Sequence, residues 1–348
     1  MKRNTGGKRQ RLVLAAGMTV AAVLTITGID SANAQRKSIR WATSSVDSYG
    51  YKVAAGMVKT LEDALGGEYT VTVNPYPSTT GAMKAAMDGT GEIGYTADVG
   101  MTQLYAGEGG FKGYTPGKSR LVHTWYSYPM ESFMATSAKD AGKYKCWGDF
   151  SGKPVFYTTA GFMNWLNFQR IHKALGYQFK HVQIDAKTNS DALQGGTIVG
   201  SVAYTTAGRS LAPYWKETEV RMDLKVINPC PEEVAKLKAA GLAVVDVDPK
   251  EAFSKDVGVK QIQAVPILFA YNVRADMPED VVYKMVSAFY KNKDKLAQSD
   301  PGFTPMAKDF VGMQVQGINA NPDIPVHAGL ARFLKEQKAW NGKWTIAK

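Results

Sequence analysis

The sequence predicts an α/β fold arranged as two lobes, and three observations support this prediction. Apolar runs of strand length alternate with amphipathic helical segments, which is typical of a sheet with crossover helices. This alternation stops at a glycine-rich stretch, 107–117, and restarts near residue 153. The chain of 348 residues is also longer than the roughly 250 to 300 residues at which a single hydrophobic core stops growing.

The first part of the chain alternates strands and helices. Val53, Met57 and Leu61 repeat at helical spacing, and residues 69–73 alternate as a strand does. Hydroxyl residues at 78–80 precede the second helix, where N-caps are expected. The predicted elements are strands 38–43, 69–73 and 93–95, helices 51–65 and 81–88, and an apolar run, 121–128.

The second part repeats this organisation and then returns to the first. A helix over 164–175 is predicted to end at Gly176, because glycine adopts the left-handed cap conformation at low cost. The return suggests that the chain crosses between lobes more than once, with lobe 1 formed by 35–127 and 264–348 and lobe 2 by 128–263. The other predicted elements are strands 153–158, 182–184, 198–204 and 223–227, an extended segment, 265–273, and an amphipathic helix, 279–296.

Residues 1–34 have the layout of a secretory signal peptide. Basic residues between Lys2 and Arg11 precede an apolar stretch, 12–26, and Ala32-Asn33-Ala34 forms a small-x-small end. An uncleaved anchor is the alternative, but the apolar stretch is shorter than the roughly 20 residues that a bilayer requires. No cysteine or twin-arginine pair indicates another export signal. We therefore expect a soluble mature protein that starts at Gln35 and works in the periplasm.

The mature chain is predicted to be mildly basic. The full chain has a formal net charge of +11, and loss of the five basic residues and one aspartate of 1–34 leaves +7. Such a charge raises the local concentration of small anions. Lysine and arginine are spread along the chain, whereas a nucleic-acid interface requires clustered basic residues or a reading motif. We expect no nucleic-acid partner, no cofactor and a monomer.

Cys146 and Cys230 are the two cysteines of the chain. Two are too few for a cysteine-built metal site. In an oxidising compartment they either pair, which stabilises by about 2 to 4 kcal/mol, or remain two buried thiols. The sequence leaves both alternatives open, because it does not give the distance between the two Cα atoms.

The chain resembles the solute receptors of TRAP transporters, specifically the TAXI subgroup. The resemblance extends from about residue 38 to Glu336 and rests on four short stretches that occur in the same order as in the family. The resemblance implies a type II-like periplasmic binding protein with two α/β lobes and a ligand cleft between them. It also implies capture of a small organic anion, a carboxylate or amino acid, for a TRAP-type membrane permease. The stretches are Gly89-Thr90-Gly91-Glu92-Ile93-Gly94, Phe150-Ser151-Gly152-Lys153-Pro154-Val155, Val273-Arg274-Ala275-Asp276-Met277-Pro278-Glu279-Asp280 and His327-Ala328-Gly329-Leu330.

The chain departs from the family pattern mainly in the loops expected to hold the ligand. Asp47-Ser48 replaces paired glycines, Gly50-Tyr51 keeps one of two tyrosines, and Tyr76-Pro77-Ser78-Thr79-Thr80 replaces a Thr-Gly-Gly-Ser-like turn. Gly161-Phe162-Met163 replaces a Gly-Ser-Gly-like turn. The loss of small residues favours a bulkier or more apolar solute than glutamate.

Candidate ligand residues lie on the loops that follow the predicted strands, because ligands bind outside the carboxyl ends of such strands. Thr79 and Thr80 precede a helix, where hydroxyl and free N–H groups bind anions; ordinary N-capping is the alternative. A guanidinium at Arg209 can clamp a carboxylate, although most arginines are solvated. The other candidates for hydrogen bonds are Ser44, Ser45, Tyr51, Thr158, Asn164 and Thr206.

Aromatic and acidic residues complete the prediction. Gly161, Phe162, Trp165 and Trp125 are candidates to cover the solute, although aromatic residues more often pack a core. Asp98 is a candidate to receive an ammonium group, and a helix cap is the alternative.

Enzyme signatures are missing from the sequence, so we expect no catalytic residues and no metal. It contains no Gly-x-Ser-x-Gly elbow and no His-Glu-x-x-His pair, and Lys112 stands where a phosphate loop requires its first glycine. A hydrolase with two carboxylates remains an alternative, since its acids need only meet in space. A sensor subunit for a membrane kinase is the other alternative. The solute, its affinity and the choice between transport and sensing are not fixed by the sequence.

Overall fold

The computed structural model describes residues 36–348, which form one compact unit. The predicted signal peptide and its cleavage site before Gln35 lie outside the described residues. Among the described helices, none combines the length and the apolar character that crossing a bilayer requires.

Ten strands within residues 36–348 form the sheet. Most of the predicted strands are confirmed, with the central two longer than expected. The strands are β1 (Lys37–Thr43), β2 (Tyr69–Pro75), β3 (Ile93–Ala97), β4 (Leu121–Ser137), β5 (Val155–Phe156), β6 (Gly200–Thr206), β7 (Ser210–Leu211), β8 (Leu224–Ile227), β9 (Val245–Val247) and β10 (Ile262–Arg274).

Eleven α-helices pack around the sheet within residues 36–348, and the predicted helices are confirmed among them. Gly176 ends α4 with φ of 74°, as its sequence position predicts. The helices are α1 (Tyr49–Ala64), α2 (Thr79–Asp88), α3 (Asp98–Ala106), α4 (Met163–Leu175), α5 (Asn189–Gln194), α6 (Pro213–Arg221), α7 (Pro231–Ala239), α8 (Glu279–Ser299), α9 (Thr304–Lys308), α10 (Phe310–Ala320) and α11 (Ala328–Glu336).

The two longest strands, β4 and β10, connect the two sides of the sheet. The strand order is β2-β1-β3-β10-β4-β6-β5, with β7, β8 and β9 paired to β6, β4 and β10. One side comprises β1 to β3, and the other comprises β5 and β6. The predicted parallel pairing is confirmed for β1–β2, β1–β3 and β5–β6. The sheet is mixed, because β4 and β10 run antiparallel to each other and to their neighbours. The division into lobes at 127/128 and 263/264 stays a prediction.

Prolines lie where β4 and β10 pass between the two sides. Pro129 pairs with Leu268, and Pro266 pairs with Glu131. A register shift follows at Phe269/Ala270. A proline lacks the N–H group that a ladder requires, so Pro129 and Pro266 donate no ladder hydrogen bond at this point of the two strands.

Aromatic residues fill the core against the central strands. The Trp41 ring lies 4.8 Å from that of Tyr271, and Trp125 lies 5.0 Å from Phe289. All four side chains are fully buried. Aromatic pairs in edge and tilted geometries add to the stabilisation that burial of their area provides.

Two strand predictions in the second part are corrected. Residues 182–184 do not form a strand; the neighbouring His181 makes one isolated bridge to Val155. The strand predicted over 153–158 is reduced to β5, because Thr158 adopts a positive φ of 69° that ends extended structure.

Cys146 and Cys230 form a disulfide, which settles the alternative that the sequence left open. Their Cα atoms are 5.2 Å apart, and 84 positions separate them in the chain. The buried Glu233 carboxylate beside the bond accepts hydrogen bonds from the N–H groups of Trp147, Gly148 and Cys230. The disulfide and Glu233 together attach α7 to the loop before β5.

Candidate functional site

A groove of about 460 Å³ opens where the loops of the two sides of the sheet meet. The β1–α1 and β2–α2 loops form one wall, and the β5–α4 loop, segment 183–187 and α6 form the other. Below the groove lies an inner cavity of about 10 Å³, which is room for one water-sized group. Ser48, Phe162 and Tyr204 line both spaces.

Four helices point their N-termini at these spaces. Ser48 caps α1 and lines both spaces, and Thr79 in the first turn of α2 lines the inner cavity. Phe162 precedes α4 without a side-chain cap, and Pro213 begins α6 in the groove wall, also without a cap. Each N-terminus carries a partial positive charge and free N–H groups. The arrangement therefore favours an anionic group.

Thr158 is the most strained residue in the groove wall. A positive φ is costly for a β-branched residue, and such strain persists only where surrounding structure enforces it. The side chain is 2% exposed, and its Oγ1 has no hydrogen-bond partner among the described residues. An unpaired buried hydroxyl costs about 1 to 3 kcal/mol. A ligand oxygen would satisfy it if binding opened the wall enough to reach this buried atom.

The inner cavity is neutral and rich in hydroxyl groups. Ser44 Oγ donates to Ser48 Oγ at 2.7 Å, and Asn164 Oδ1 accepts from Ser132 Oγ at 3.2 Å. Tyr95 and Tyr128 share a hydrogen bond of 2.7 Å between their hydroxyls. Burial raises the pKa of both phenols well above the usual value, so they stay neutral. No fixed charge lies among the residues that line this cavity.

Two direct contacts connect the two walls of the groove. The Gly161 carbonyl accepts hydrogen bonds from Thr80 N at 3.2 Å and from Thr80 Oγ1 at 3.1 Å. Gly161 has φ of 84°, and a Cβ there would lie 3.0 Å from Ser78 Cβ. Glycine is thus required both by the backbone conformation and by the close approach. Lys187 Nζ also lies 3.2 Å from Asp47 Oδ2.

Eight of the predicted site residues lie at these spaces. Two of them, Thr80 and Gly161, form the contact between the walls. The six lining residues are Ser44, Ser45, Thr79, Thr158, Phe162 and Asn164.

Five other candidates lie away from both spaces. Tyr51 follows the N-cap of α1, and its N–H donates to Ser48 Oγ. Trp125 belongs to the core, and Trp165 packs against Phe179 and His181. Thr206 is fully buried at the end of β6. Asp98 begins α3 beside a separate cavity of about 220 Å³, where its Oδ1 accepts from Val99 N and Leu268 N.

Arg209 also lies outside the groove, because the β6–β7 turn points it to a different opening. That opening, the rear groove, has a volume of about 470 Å³ and is lined by Glu131, Arg209 and Glu251, among others. Arg209 Nη1 lies 3.5 Å from Glu251 Oε2, and both side chains are about half exposed. The expected guanidinium clamp is therefore absent from the groove in this structure.

Several lining residues were not predicted from the sequence. Ser48 could have been found as the N-cap of α1, and Tyr204 as the residue near the end of a buried strand. Tyr214, Asp185, Lys187 and Glu217 gave no signal, because segment 183–187 and α6 reach the groove only through tertiary packing.

Metal-ligating residues meet at one place within the described chain, where Cys146, Cys230 and Glu233 are adjacent. Both sulfur atoms belong to the disulfide, and Glu233 accepts backbone hydrogen bonds, so this cluster does not suit a metal.

Comparison with solved structures shows the fold. A protein described as a periplasmic transporter is 14% identical, with a TM-score of 0.50 over 81% of this chain and 95% of that chain. A putative periplasmic sulfonate-binding protein from Methylobacillus flagellatus KT is 16% identical, with a TM-score of 0.48 over 89% and 97%. A putative L-cystine ABC transporter protein from Listeria monocytogenes is 12% identical, with a TM-score of 0.44 over 76% and 95%.

The predicted fold class, the two-lobed α/β fold of periplasmic binding proteins, is confirmed by the first of these structures. No curated protein matches the chain. The profile of one family matches residues 41–337, most of the chain, and the protein therefore belongs to the NMT1-like family.

Proposed function

We propose that this protein is the periplasmic solute-binding protein of a membrane transporter. It binds a small organic anion, a carboxylate or amino acid, in the groove and presents it to the membrane subunits. The family, the fold and a groove between the two sides of the sheet support this function. The role is binding without catalysis.

The observation that carries the proposal is the set of unsatisfied groups that meet in the groove. The N-termini of α4 and α6 have no side-chain cap, and they lie with the unpaired Thr158 hydroxyl at the groove; the capped N-termini of α1 and α2 lie at the groove and the inner cavity. A carboxylate accepts several hydrogen bonds from such donors without any arginine. Binding would thus compensate the cost of leaving Thr158 unpaired and strained.

Contacts to both walls provide the mechanism of closure. A solute held by Thr79 on one wall and Thr158 on the other stabilises the closed state by its difference in affinity for the two states. The hydrogen bonds from Thr80 to Gly161 form only when the walls are in contact. The closed form is the one that the membrane subunits recognise.

We further propose that the membrane partner is a TRAP-type permease, on the basis of the TAXI resemblance. Reconstitution of the protein with its transporter in vesicles distinguishes the transporter types. Uptake driven by an ion gradient without ATP supports the TRAP type. Uptake that requires ATP would contradict it and leave the solute-binding role intact.

A thermal-shift screen of residues 36–348 against amino acids, dicarboxylates, 2-oxo acids and aromatic carboxylates tests the proposed function. A ligand at one hundred times its Kd adds about 2.7 kcal/mol to the free energy of unfolding, which raises the Tm clearly. We expect a shift confined to one class, confirmed by calorimetry with no turnover. No shift with any class, or hydrolysis of the ligand, would contradict the proposal.

A further inference from the structure

The charged residues that line the groove are mainly acidic. Asp47, Asp185 and Glu217 contribute three carboxylates, and Lys187 is the one cationic side chain among the described lining residues. A second carboxylate on the solute would meet repulsion here rather than a counter-charge. The outer groove therefore disfavours dicarboxylates.

The existing ion pairs leave part of this negative charge available. Lys187 lies 3.2 Å from Asp47, and Arg221 lies 3.5 Å from Glu217. Both pairs are exposed at the surface and so are weak. Asp185 Oδ1 accepts only the Lys187 N–H, at 3.0 Å, among the described residues. A cation in the groove would thus find carboxylates that strong partners have not neutralised.

Three aromatic rings line the groove beside these carboxylates. Phe162, Tyr204 and Tyr214 belong to different elements, and the Tyr204 and Tyr214 ring centroids are 6.3 Å apart at an angle of 63°. Burial raises the pKa of both tyrosines, so the rings remain neutral. Aromatic faces attract alkylammonium groups, most strongly where water is excluded.

We infer that the solute is a zwitterion, with a carboxylate at the helix N-termini and an alkylammonium group among Phe162, Tyr204, Tyr214 and the groove carboxylates. This inference rests on the proposed function, and the unpaired Thr158 hydroxyl is independent support for a ligand in the groove. The two charges of the solute then face opposite electrostatic environments within one site.

Pairs of isosteres test the inference. Trimethylammonioacetate and 3,3-dimethylbutanoate differ only by nitrogen in place of carbon, as do 4-trimethylammoniobutanoate and 5,5-dimethylhexanoate. We expect the zwitterion of at least one pair to bind residues 36–348 at least tenfold more tightly by calorimetry than its carbon isostere. Equal or tighter binding of the carbon isosteres would overturn the inference, while still supporting capture of a carboxylate.

The variant Glu217→Gln separates the charge effect from shape. It should weaken the zwitterion severalfold and leave the carbon isostere unchanged, whereas Glu251→Gln in the rear groove should affect neither. Equal loss for both ligands would contradict a cation subsite. If neither member of either pair binds, the zwitterion inference fails. A carboxylate that binds in the thermal-shift screen would then still support the proposed function.

Discussion

The groove and the rear groove have nearly the same volume but differ in how their polar groups are satisfied. In the groove, the N-termini of α4 and α6 have no side-chain cap, and the Thr158 hydroxyl has no hydrogen-bond partner among the described residues. In the rear groove, Arg209 pairs with Glu251, and buried Glu131 accepts from Thr205 Oγ1 at 2.7 Å and Gly208 N at 3.0 Å. The two openings are thus similar in volume and differ in whether their polar groups have protein partners.

The largest expected effect is on the free energy of unfolding, and it comes from the titration of Glu131 in the rear groove. Burial raises the pKa of this carboxyl to about 7 in the folded protein, against about 4.5 without burial. The protonated form stabilises the fold fully below about pH 4.5, and this stability is lost as the pH rises through about 7. The loss approaches about 3 kcal/mol, because each unit of pKa corresponds to about 1.4 kcal/mol.

Glu131→Gln should remove this dependence, since the amide oxygen still accepts both hydrogen bonds but does not titrate. Urea unfolding between pH 4.5 and 8 gives the free energy of unfolding of the native protein and of the variant, and the difference between the two measures the contribution of Glu131. If the free energy of unfolding changed with pH equally in both proteins, Glu131 would not be the titrating group.

Thr158→Gly should weaken solute binding by more than tenfold without lowering the Tm of the empty protein. Glycine adopts the positive φ without strain, which offsets the entropy that it adds to the unfolded chain. Thr158→Ser keeps the hydroxyl and should keep most of the affinity. Calorimetry and thermal unfolding provide both readouts. Loss of affinity in proportion to loss of Tm would make Thr158 a structural residue.

Thr80→Val should remove the side-chain contact with the Gly161 carbonyl and reduce affinity a few-fold. A single neutral hydrogen bond contributes about 0.5 to 1.5 kcal/mol. Because the contact exists only with the walls together, the loss should appear as faster solute release in stopped-flow measurements. An unchanged release rate would mean that this contact does not hold the closed state.

Arg209→Ala should change affinity by less than twofold, which is the smallest effect expected. Its ion pair is exposed and lies in the rear groove, so it contributes little to stability as well. A tenfold loss of affinity would place the solute in the rear groove, which would then be the binding site instead of the groove.

The sequence predicted most of the fold, because helix and strand periodicity reflect burial directly. It failed where backbone conformation overrides the pattern, as at Thr158, which shortens β5. The predicted parallel pairing holds for β1–β2, β1–β3 and β5–β6, but local alternation does not reveal that β4 and β10 cross the sheet in opposite directions.

Predicted candidates line the groove or the inner cavity where a residue directly follows a strand or lies at the start of a helix, as Ser44, Thr79 and Phe162 do. Arg209 also follows a strand, but the β6–β7 hairpin turns it to the rear. Residues such as Tyr214 reach the groove by tertiary packing, which no local motif indicates.

A crystal structure of residues 36–348 with the ligand from the thermal-shift screen tests the central claim most directly. We predict a ligand oxygen in the groove at about 2.7 to 3.2 Å from Thr158 Oγ1, with the first-turn N–H groups of α2 or α4 as further donors. A ligand bound in the rear groove, or one that leaves Thr158 unpaired, would contradict the account.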